Sequence, residues 1–185
     1  NSWGPRNELA YLEKFGSFYS QTIVLLINTD DLFAKAPSSL VVGVSRNYPD
    51  KKPSSAIAEM IGRYLLPVPK VPEVKEEGER VNLNLAAIKK IQEITNQNNA
   101  TFILAMTPLL REIGKPGPRD YEIKTRKLLE EFNRAENILY LDLLPIFKSV
   151  LKPDSLYRDH IHLSPEGNQV VSQNISQLII NHTQF

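Results

Sequence analysis

The chain of 185 residues contains no cysteine, and this absence excludes several kinds of chemistry at once. Disulfide bonds, thiolate nucleophiles and zinc sites with thiolate ligands all require cysteine. Long apolar runs are missing as well, since no stretch approaches the roughly 20 residues that a membrane-spanning helix needs. The sequence therefore predicts no membrane span, and it leaves the localisation, cytoplasmic or exported, undefined.

Neither sign of charge predominates in this chain. The 22 basic and 21 acidic side chains leave a formal net charge of +1. Nucleic acids and anionic membrane surfaces attract proteins with a strong basic excess, so bulk electrostatics favour neither partner here. Small or neutral substrates fit this balance better. The length is that of one domain, and we expect residues 1–185 to form a single domain of undefined oligomeric state.

Three short, continuously apolar runs alternate with helical patterns along the chain. This alternation predicts an α/β fold, in which a parallel sheet carries helices on both faces. A further helical pattern at 8–15 precedes the first run and ends at Gly16. The strands are predicted at 22–27, 101–106 and 137–141, and the helices between them at 54–66, 81–95 and 120–134.

Residues 67–79 interrupt this pattern with three prolines and a cluster of charged side chains. Such a composition predicts a surface excursion of the chain. Two interpretations are open, a plain insertion and a lid beside a functional site. The plain insertion is favoured, because loops are usually variable surface before they are functional.

The most informative segment covers residues 159–167, where Asp159 stands three residues before His162 and just ahead of a helical pattern. An Asp at this spacing can accept a hydrogen bond from Nδ1 of the His, fix its tautomer and stabilise the imidazolium formed on proton transfer. Ser164 is placed to cap the helix, and Pro165 suits its first turn. The segment therefore predicts His162 as a catalytic base that Asp159 orients.

A metal site is a competing interpretation of the same segment. Asp159, His160 and His162 are residue types that bind zinc. The sequence identifies no further well-placed ligand, so we expect neither a metal nor a cofactor. His160 is assigned a surface or packing role, because it alternates with His162 along the chain.

Three other segments fall at the same edge of the predicted sheet as this loop. Residues 1–4 precede the first helix, residues 28–31 follow the first strand, and residues 107–108 follow the second. Parallel strands end at a common edge, where open α/β sheets bind their ligands. Convergence of these segments predicts one site there.

Together these segments resemble those of the SGNH, or GDSL-like, hydrolases, a family of serine esterases, lipases, acylhydrolases and polysaccharide deacetylases. The resemblance implies a flavodoxin-like, three-layer fold. Asp159-His160-Ile161-His162 matches the D-x-x-H block of the family, which implies that Asp159 and His162 are the Asp and His of a triad. Asn1-Ser2-Trp3-Gly4 is similar to the block whose glycine N–H helps to form the oxyanion hole, which implies that role for Gly4.

The G-x-N-D block of the family corresponds to Asn28-Thr29-Asp30-Asp31, in which Asp31 matches but Asp30 stands where the oxyanion-binding Asn is expected. An ionised carboxylate accepts hydrogen bonds and donates none, so Asp30 can serve an oxyanion only when protonated. Two other assignments are open: Asn28 supplies the amide after a local shift of register, or Asp30 orients a substrate hydroxyl. The structural alternative is that Asp30 and Asp31 simply form a loop or capping turn.

The G-D-S block of the family has no counterpart, because its serine belongs after a strand that would precede Asn1. We therefore expect the chain to be a C-terminal portion of a longer protein, a cleaved chain or an incomplete sequence, with N-terminal strands missing and the nucleophile upstream. Ser2, Ser45 and Ser164 are weaker candidates. Ser2 does not follow a tight strand-to-helix turn, and Ser164 is better explained as a helix cap.

The resemblance implies a hydrolase that cleaves carboxylic esters by a Ser-His-Asp mechanism. O-acyl groups on carbohydrates, or other small esters, are the favoured substrates. Trp3 and Tyr157 are candidates for a sugar-binding face, although core packing is the more common role of aromatic residues. A catalytically inactive or impaired carbohydrate- or ligand-binding module is the first alternative, motivated by Asp30 and by the missing serine. An O-acyltransferase, in which a sugar hydroxyl replaces water, is the second.

Overall fold

A computed structural model describes residues 3–36, 51–67 and 79–182 of the chain. The described residues form mixed α/β structure around three parallel strands, β1 (Thr22–Asn28), β2 (Thr101–Thr107) and β3 (Leu139–Asp142), in that order across the sheet. This architecture is compatible with the flavodoxin-like expectation. The helices are α1 (Pro5–Phe15), α2 (Ala56–Tyr64), α3 (Arg80–Gln97), α4 (Leu110–Ile113), α5 (Asp120–Ala135), α6 (Leu144–Ser149) and α7 (Pro165–His182), with short 3-10 helices at Thr29–Phe33 and Pro153–Leu156.

Several of the predictions fall outside these ranges. The proposed insertion at 67–79 lies outside the described residues except for its two ends. The serine candidates Ser2 and Ser45 and the first residue, Asn1, also lie outside them.

The apolar runs explain why β2 is the central strand. Phe102, Leu104 and Met106 alternate onto one face and join the main core, while Ile103 and Ala105 are fully buried on the other face. A strand covered on both faces has a continuously apolar sequence, which is the pattern that predicted it. The main core also contains apolar side chains of α3 (Val81, Leu85, Ile88, Ile91), of β1 (Leu25, Ile27) and of α5 (Leu129).

Within the described residues β1 lies at an edge of the sheet, where it pairs only with β2. Its side chains Val24 and Leu26 point away from the main core and are 36% and 42% exposed. An edge strand of this kind presents unpaired backbone N–H and C=O groups together with an apolar face. The additional N-terminal strands that the family resemblance implies stay a prediction.

The third strand begins at Leu139, so the prediction of a start at residue 137 is wrong by two residues. Asn137 has a φ of 53°, the left-handed conformation in which Asn is one of the most tolerated residues. The backbone N–H of Ile138 donates to the carbonyl of Asn133 at 2.9 Å. Both residues therefore belong to the turn that ends α5, and the strand starts only after it.

A buried ion network joins the carboxyl ends of the three strands. Glu112, which follows β2, accepts a hydrogen bond at Oε2 from the hydroxyl of Thr29, which follows β1, at 2.9 Å. Arg126 of α5 reaches Oε1 of the same carboxylate at 3.0 Å and Oδ1 of Asp142, the last residue of β3, at 2.5 Å. The network therefore fixes the sheet edge at which the predicted site lies.

Candidate active site

Asp159 and His162 form a hydrogen-bonded pair on the loop before α7. The Nδ1 atom of His162 lies 2.7 Å from Oδ2 of Asp159, and the other carboxylate oxygen accepts the backbone N–H groups of His162 at 2.8 Å and Ile161 at 3.0 Å. These backbone N–H groups, with the imidazole, hold the pKa of Asp159 well below its usual range. Because the carboxylate is ionised and accepts from Nδ1–H, Nε2 is the basic nitrogen of His162.

Backbone hydrogen bonds shape the loop that carries this pair. Tyr157 and Leu163 form an antiparallel bridge, and the N–H of Arg158 donates to the carbonyl of His162 at 2.8 Å. Tyr157 is buried and its hydroxyl donates to the carbonyl of Pro108, so this ring has the core-packing role and does not form a sugar-binding face. The pair is left accessible, with the His162 side chain 63% exposed.

The cap and first turn of α7 fix the end of the loop. The hydroxyl of Ser164 accepts the N–H of Gly167 at 3.1 Å and donates to the carbonyl of Ser155 at 2.7 Å, as expected for a helix cap. A Cβ atom on Gly167 would lie 2.1 Å from the carbonyl oxygen of Leu156. Glycine is therefore required for α7 to approach the 3-10 helix Pro153–Leu156 so closely.

His160 lies in the same loop but does not join the pair. Its carbonyl accepts the N–H of Leu110 at 3.2 Å, which ties the loop to the start of α4. Its side chain is exposed, in keeping with the surface role assigned from the sequence. His160 therefore serves as a control position for substitutions in this loop.

A cleft of about 540 Å³ opens beside His162. A second cleft of about 310 Å³ runs along the carboxyl end of β1 and also contains His162. The first is lined by Trp3, Glu8, Leu26, Asn28, Asp30, Asp31, Ala34, Ile161 and His162, and the second includes Asn28, Asp31, Thr107 and His162. Residues from all four predicted segments thus meet at one edge of the sheet.

Asn28 and Asp31 form a capping box for the 3-10 helix Thr29–Phe33. The backbone N–H of Asn28 donates to Oδ2 of Asp31 at 2.8 Å, and the N–H of Asp30 donates to Oδ1 of Asn28 at 2.8 Å. The capping interpretation of Asp31 is therefore confirmed. The amide Nδ2 of Asn28 makes no hydrogen bond to any described residue, so it is the part of this side chain that can serve a ligand.

The carboxyl group of Asp30 lies beside the guanidinium of Arg111 in α4 and the hydroxyl of Tyr121 in α5. Its Oδ1 lies 3.5 Å from Nη2 of Arg111 and 3.4 Å from the hydroxyl of Tyr121. The hydroxyl of Tyr121 donates a hydrogen bond to this oxygen, and the guanidinium of Arg111 forms an ion pair with it. Asp30 is therefore arranged as an acceptor on the rim of the cleft.

Gly4 packs against the turn that contains Asp31. Its carbonyl accepts the N–H groups of Asn7 at 2.9 Å and Glu8 at 3.2 Å at the start of α1. A Cβ on Gly4 would lie 2.4 Å from Cβ of Ala34 and 3.0 Å from the carbonyl oxygen of Asp31. The glycine thus allows close contact between α1 and the turn, while the adjacent Trp3 and Glu8 supply the cleft wall.

Glu8 is a cleft residue that the sequence did not single out. Its Oε2 atom is buried and has no hydrogen-bond partner in the part of the chain that the structure describes. Burial, reinforced by the charge of Asp31, raises the pKa of Glu8 to about 7. Burial also raises the pKa of Asp31 to about 6; the N–H of Asn28 opposes this shift and the charge of Asp30 adds to it.

The position of Glu8 in α1 contained one indication of its role. Glu8 precedes Leu12 by four residues, so this acid falls on the apolar stripe of an amphipathic helix. Leu12 packs against the main core. An acidic residue on such a stripe is partly withdrawn from water and needs a partner or a proton.

Comparison with protein-family models gave no match, and comparison with curated proteins gave none either. Across the described ranges no helix has the length and apolar character needed to cross a membrane. Within the same ranges no three or more His, Asp or Glu residues are grouped so as to hold a metal ion.

Proposed function

We propose that this protein hydrolyses carboxylic esters, with His162 as general base and acid and Asp159 as the residue that orients it. The observation that carries the proposal is the 2.7 Å contact between Nδ1 of His162 and Oδ2 of Asp159 beside an open cleft. An imidazole held in this tautomer accepts the proton of an attacking hydroxyl at Nε2 and returns it to the leaving alkoxide. The family resemblance supports this interpretation.

The nucleophile in this proposal is a serine hydroxyl from the segment that the resemblance implies upstream of Asn1. Nε2 of His162 takes the serine proton as Oγ attacks the acyl carbon, and the leaving alkoxide departs with that proton. Water, deprotonated by the same nitrogen, then cleaves the acyl-enzyme and regenerates the serine. Ser164 is not a candidate, because its hydroxyl is engaged in the cap of α7.

Asn28 is the side chain that this proposal assigns to the oxyanion. Its Oδ1 accepts the N–H of Asp30, while Nδ2 has no partner among the described residues. Asn28 lines both clefts together with His162. Asp30 is an acceptor paired with Arg111, which is the wrong polarity for an oxyanion. Gly4 keeps the backbone N–H role that the resemblance implies.

The test uses the full-length protein, a serine-directed fluorophosphonate and p-nitrophenyl acetate. We expect covalent labelling of a serine upstream of Asn1 and release of p-nitrophenolate, both abolished by His162→Ala. His160→Ala is the matched control, because it removes the second exposed imidazole of the same loop, which takes no part in the hydrogen bond between His162 and Asp159. A folded full-length protein that neither labels nor turns over esters would refute the proposal.

A binding module is the second candidate, and one observation favours it. Among the described residues that line the two clefts there is no serine, whereas Trp3 is 41% exposed beside polar side chains. Titration calorimetry with neutral oligosaccharides separates the two candidates, since binding without ester turnover or labelling identifies a module that only binds. Acyl transfer to a sugar in place of water would be recognised from the products formed with a donor ester and a sugar acceptor.

A further inference from the structure

We propose that Glu8 determines substrate specificity by donating a hydrogen bond, as a neutral acid, to an oxygen of a hydroxyl-rich alcohol group bound in the cleft beside His162. The proposal rests on the proposed function for the identity of the ligand as the alcohol part of an ester. Its physical basis is the surroundings of the Glu8 carboxyl group.

The surroundings of the Glu8 carboxyl group favour its neutral, protonated form. Its Oε2 atom is withdrawn from water and no donor among the described residues reaches it. A buried, ionised carboxylate without a donor is far more costly than the neutral acid. The raised pKa of Glu8, about 7, agrees with a carboxyl group that keeps its proton under mildly acidic conditions and loses it as the pH rises through 7.

The charged side chains that face Glu8 in the cleft are mainly acidic. Asp30 and Asp31 line the same cleft from the turn after β1, and His162 faces it from the loop before α7. Arg6, on the same helix, donates to the side chain of Asn84 and to the carbonyl of Ala34. None of the described residues that line the cleft of about 540 Å³ is a lysine or an arginine. Arg158 lines only the second cleft, and Arg111 pairs with Asp30 and Glu122, so neither is an ion-pair partner of Glu8.

The cleft wall formed by Glu8, Asp30 and Trp3 suits a ligand with several hydroxyl groups. A neutral carboxyl group offers one O–H donor, and Asp30, whose Oδ1 lies beside Arg111 and the Tyr121 hydroxyl, offers acceptor oxygens. Together they match groups that both donate and accept. Trp3 adds a large and partly exposed aromatic surface beside them. The volume of about 540 Å³ is in the range of small-ligand sites and admits a monosaccharide unit.

The experiment measures binding of methyl β-D-glucopyranoside to the full-length protein by NMR titration at pH 5.5, 7 and 8.5. Ionisation removes the donor, so we expect the affinity of the wild-type protein to fall about three- to tenfold as the pH rises through 7. Glu8→Gln keeps a donor in the same place and removes the part of the pH dependence that belongs to Glu8. Only the part due to Asp31, which lines the same cleft and has a pKa of about 6, should remain. Glu8→Leu weakens binding at pH 5.5 by a similar factor.

Glu13→Leu is the matched control, since it removes an exposed carboxylate of the same helix and leaves the affinity unchanged. A wild-type protein whose glucoside binding is absent, insensitive to pH or stronger at high pH would overturn the proposal, and so would full binding by Glu8→Leu. The titration requires no turnover. Loss of ester hydrolysis alone would therefore refute the proposed function while leaving the role of Glu8 supported by binding.

Discussion

One carboxylate, that of Asp159, binds His162 twice. Oδ2 lies 2.7 Å from the ring Nδ1, and Oδ1 accepts the backbone N–H of the same residue at 2.8 Å. The backbone contact fixes the loop, and the ring contact fixes the tautomer. The two functions of this carboxylate can be separated by substitution, because an amide retains an acceptor for the backbone but lacks the charge.

Asp159→Asn should leave the fold intact and lower kcat for ester hydrolysis by about two to four orders of magnitude, because the imidazolium formed in the reaction loses its counter-ion. KM should change little, since Asp159 does not line either cleft. Steady-state kinetics with p-nitrophenyl acetate, beside His160→Ala as control, checks this. Wild-type kcat in Asp159→Asn would show that the pair is only structural.

Substitution of Asn28 separates its capping role from the proposed oxyanion role. Asn28→Ser keeps an oxygen that caps the 3-10 helix but has no amide donor. We expect an unchanged thermal midpoint and a fall in kcat of about a hundred- to a thousandfold, the usual effect of removing one oxyanion donor. If Asp30→Ala lowers kcat as much as Asn28→Ser does, the assignment to Asn28 is wrong.

Local spacing made the Asp159 and His162 pair predictable, because the turn between them involves only three residues. The same holds for Ser164, whose capping role depends on its neighbours in the chain. The local pattern of α1 shows only that Glu8 falls on an apolar stripe. The role proposed for Glu8 depends also on contact between α1 and a turn more than twenty residues further along, which the spacing within α1 does not encode. The choice between Asn28 and Asp30 as the ligand-binding side chain is not encoded by residue type alone. It depends on the hydrogen bond that Oδ1 of Asn28 accepts from the N–H of Asp30, and on the position of Arg111 and Tyr121 beside Asp30.

The stability of the protein should fall as the pH rises from 4.5 to 8.5, because burial raises the pKa of Glu8 from 4.5 to about 7. The contribution of neutral Glu8 is fully present below the unfolded pKa and is lost as the pH passes through the folded one. For a shift of the pKa from 4.5 to about 7, the free energy of unfolding falls by about 3 kcal/mol. Asp31, with a pKa of about 6, acts in the same direction.

Urea unfolding of the wild-type protein and Glu8→Gln at pH 5, 7 and 8.5 measures the Glu8 contribution. The amide cannot ionise, so the variant should gain stability relative to the wild type with rising pH, and its own curve should retain only the smaller slope due to Asp31. Parallel curves for the two proteins would mean that Glu8 ionises normally in the folded state.

Gly167→Ala should destabilise the protein by about 1–3 kcal/mol, because the added Cβ would overlap the carbonyl of Leu156 and push α7 away from the 3-10 helix beneath it. Gly62→Ala is the matched control within α2, where a Cβ meets nothing within 4 Å. In Gly62→Ala the higher helix preference of alanine should raise the free energy of unfolding by about 0.5–1 kcal/mol. Thermal unfolding should show a lower midpoint for Gly167→Ala and a higher one for Gly62→Ala. Equal shifts of the two midpoints would contradict the close approach of α7 to the 3-10 helix.

Arg126→Met should be among the most destabilising single substitutions outside the apolar core. It leaves the fully buried carboxylate of Glu112 and the partly buried Asp142 without their shared cation, at a cost of about 3–5 kcal/mol. Adding Glu112→Gln to this variant removes one of the uncompensated charges and should restore part of the stability. The loss of stability in the double variant should differ from the sum of the losses in the two single variants by about 0.5–3 kcal/mol, as expected for residues in direct contact.

Arg134→Met provides the matched control for this network, because it breaks an exposed ion pair with Glu130 on the same helix. Exposed pairs of this kind contribute at most about 1 kcal/mol, so the control should unfold close to the wild-type urea midpoint. If Arg126→Met behaves like this control, the carboxylates at the strand ends are not held by Arg126. The sheet edge that positions Asn28 and Asp31 would then depend on apolar packing alone.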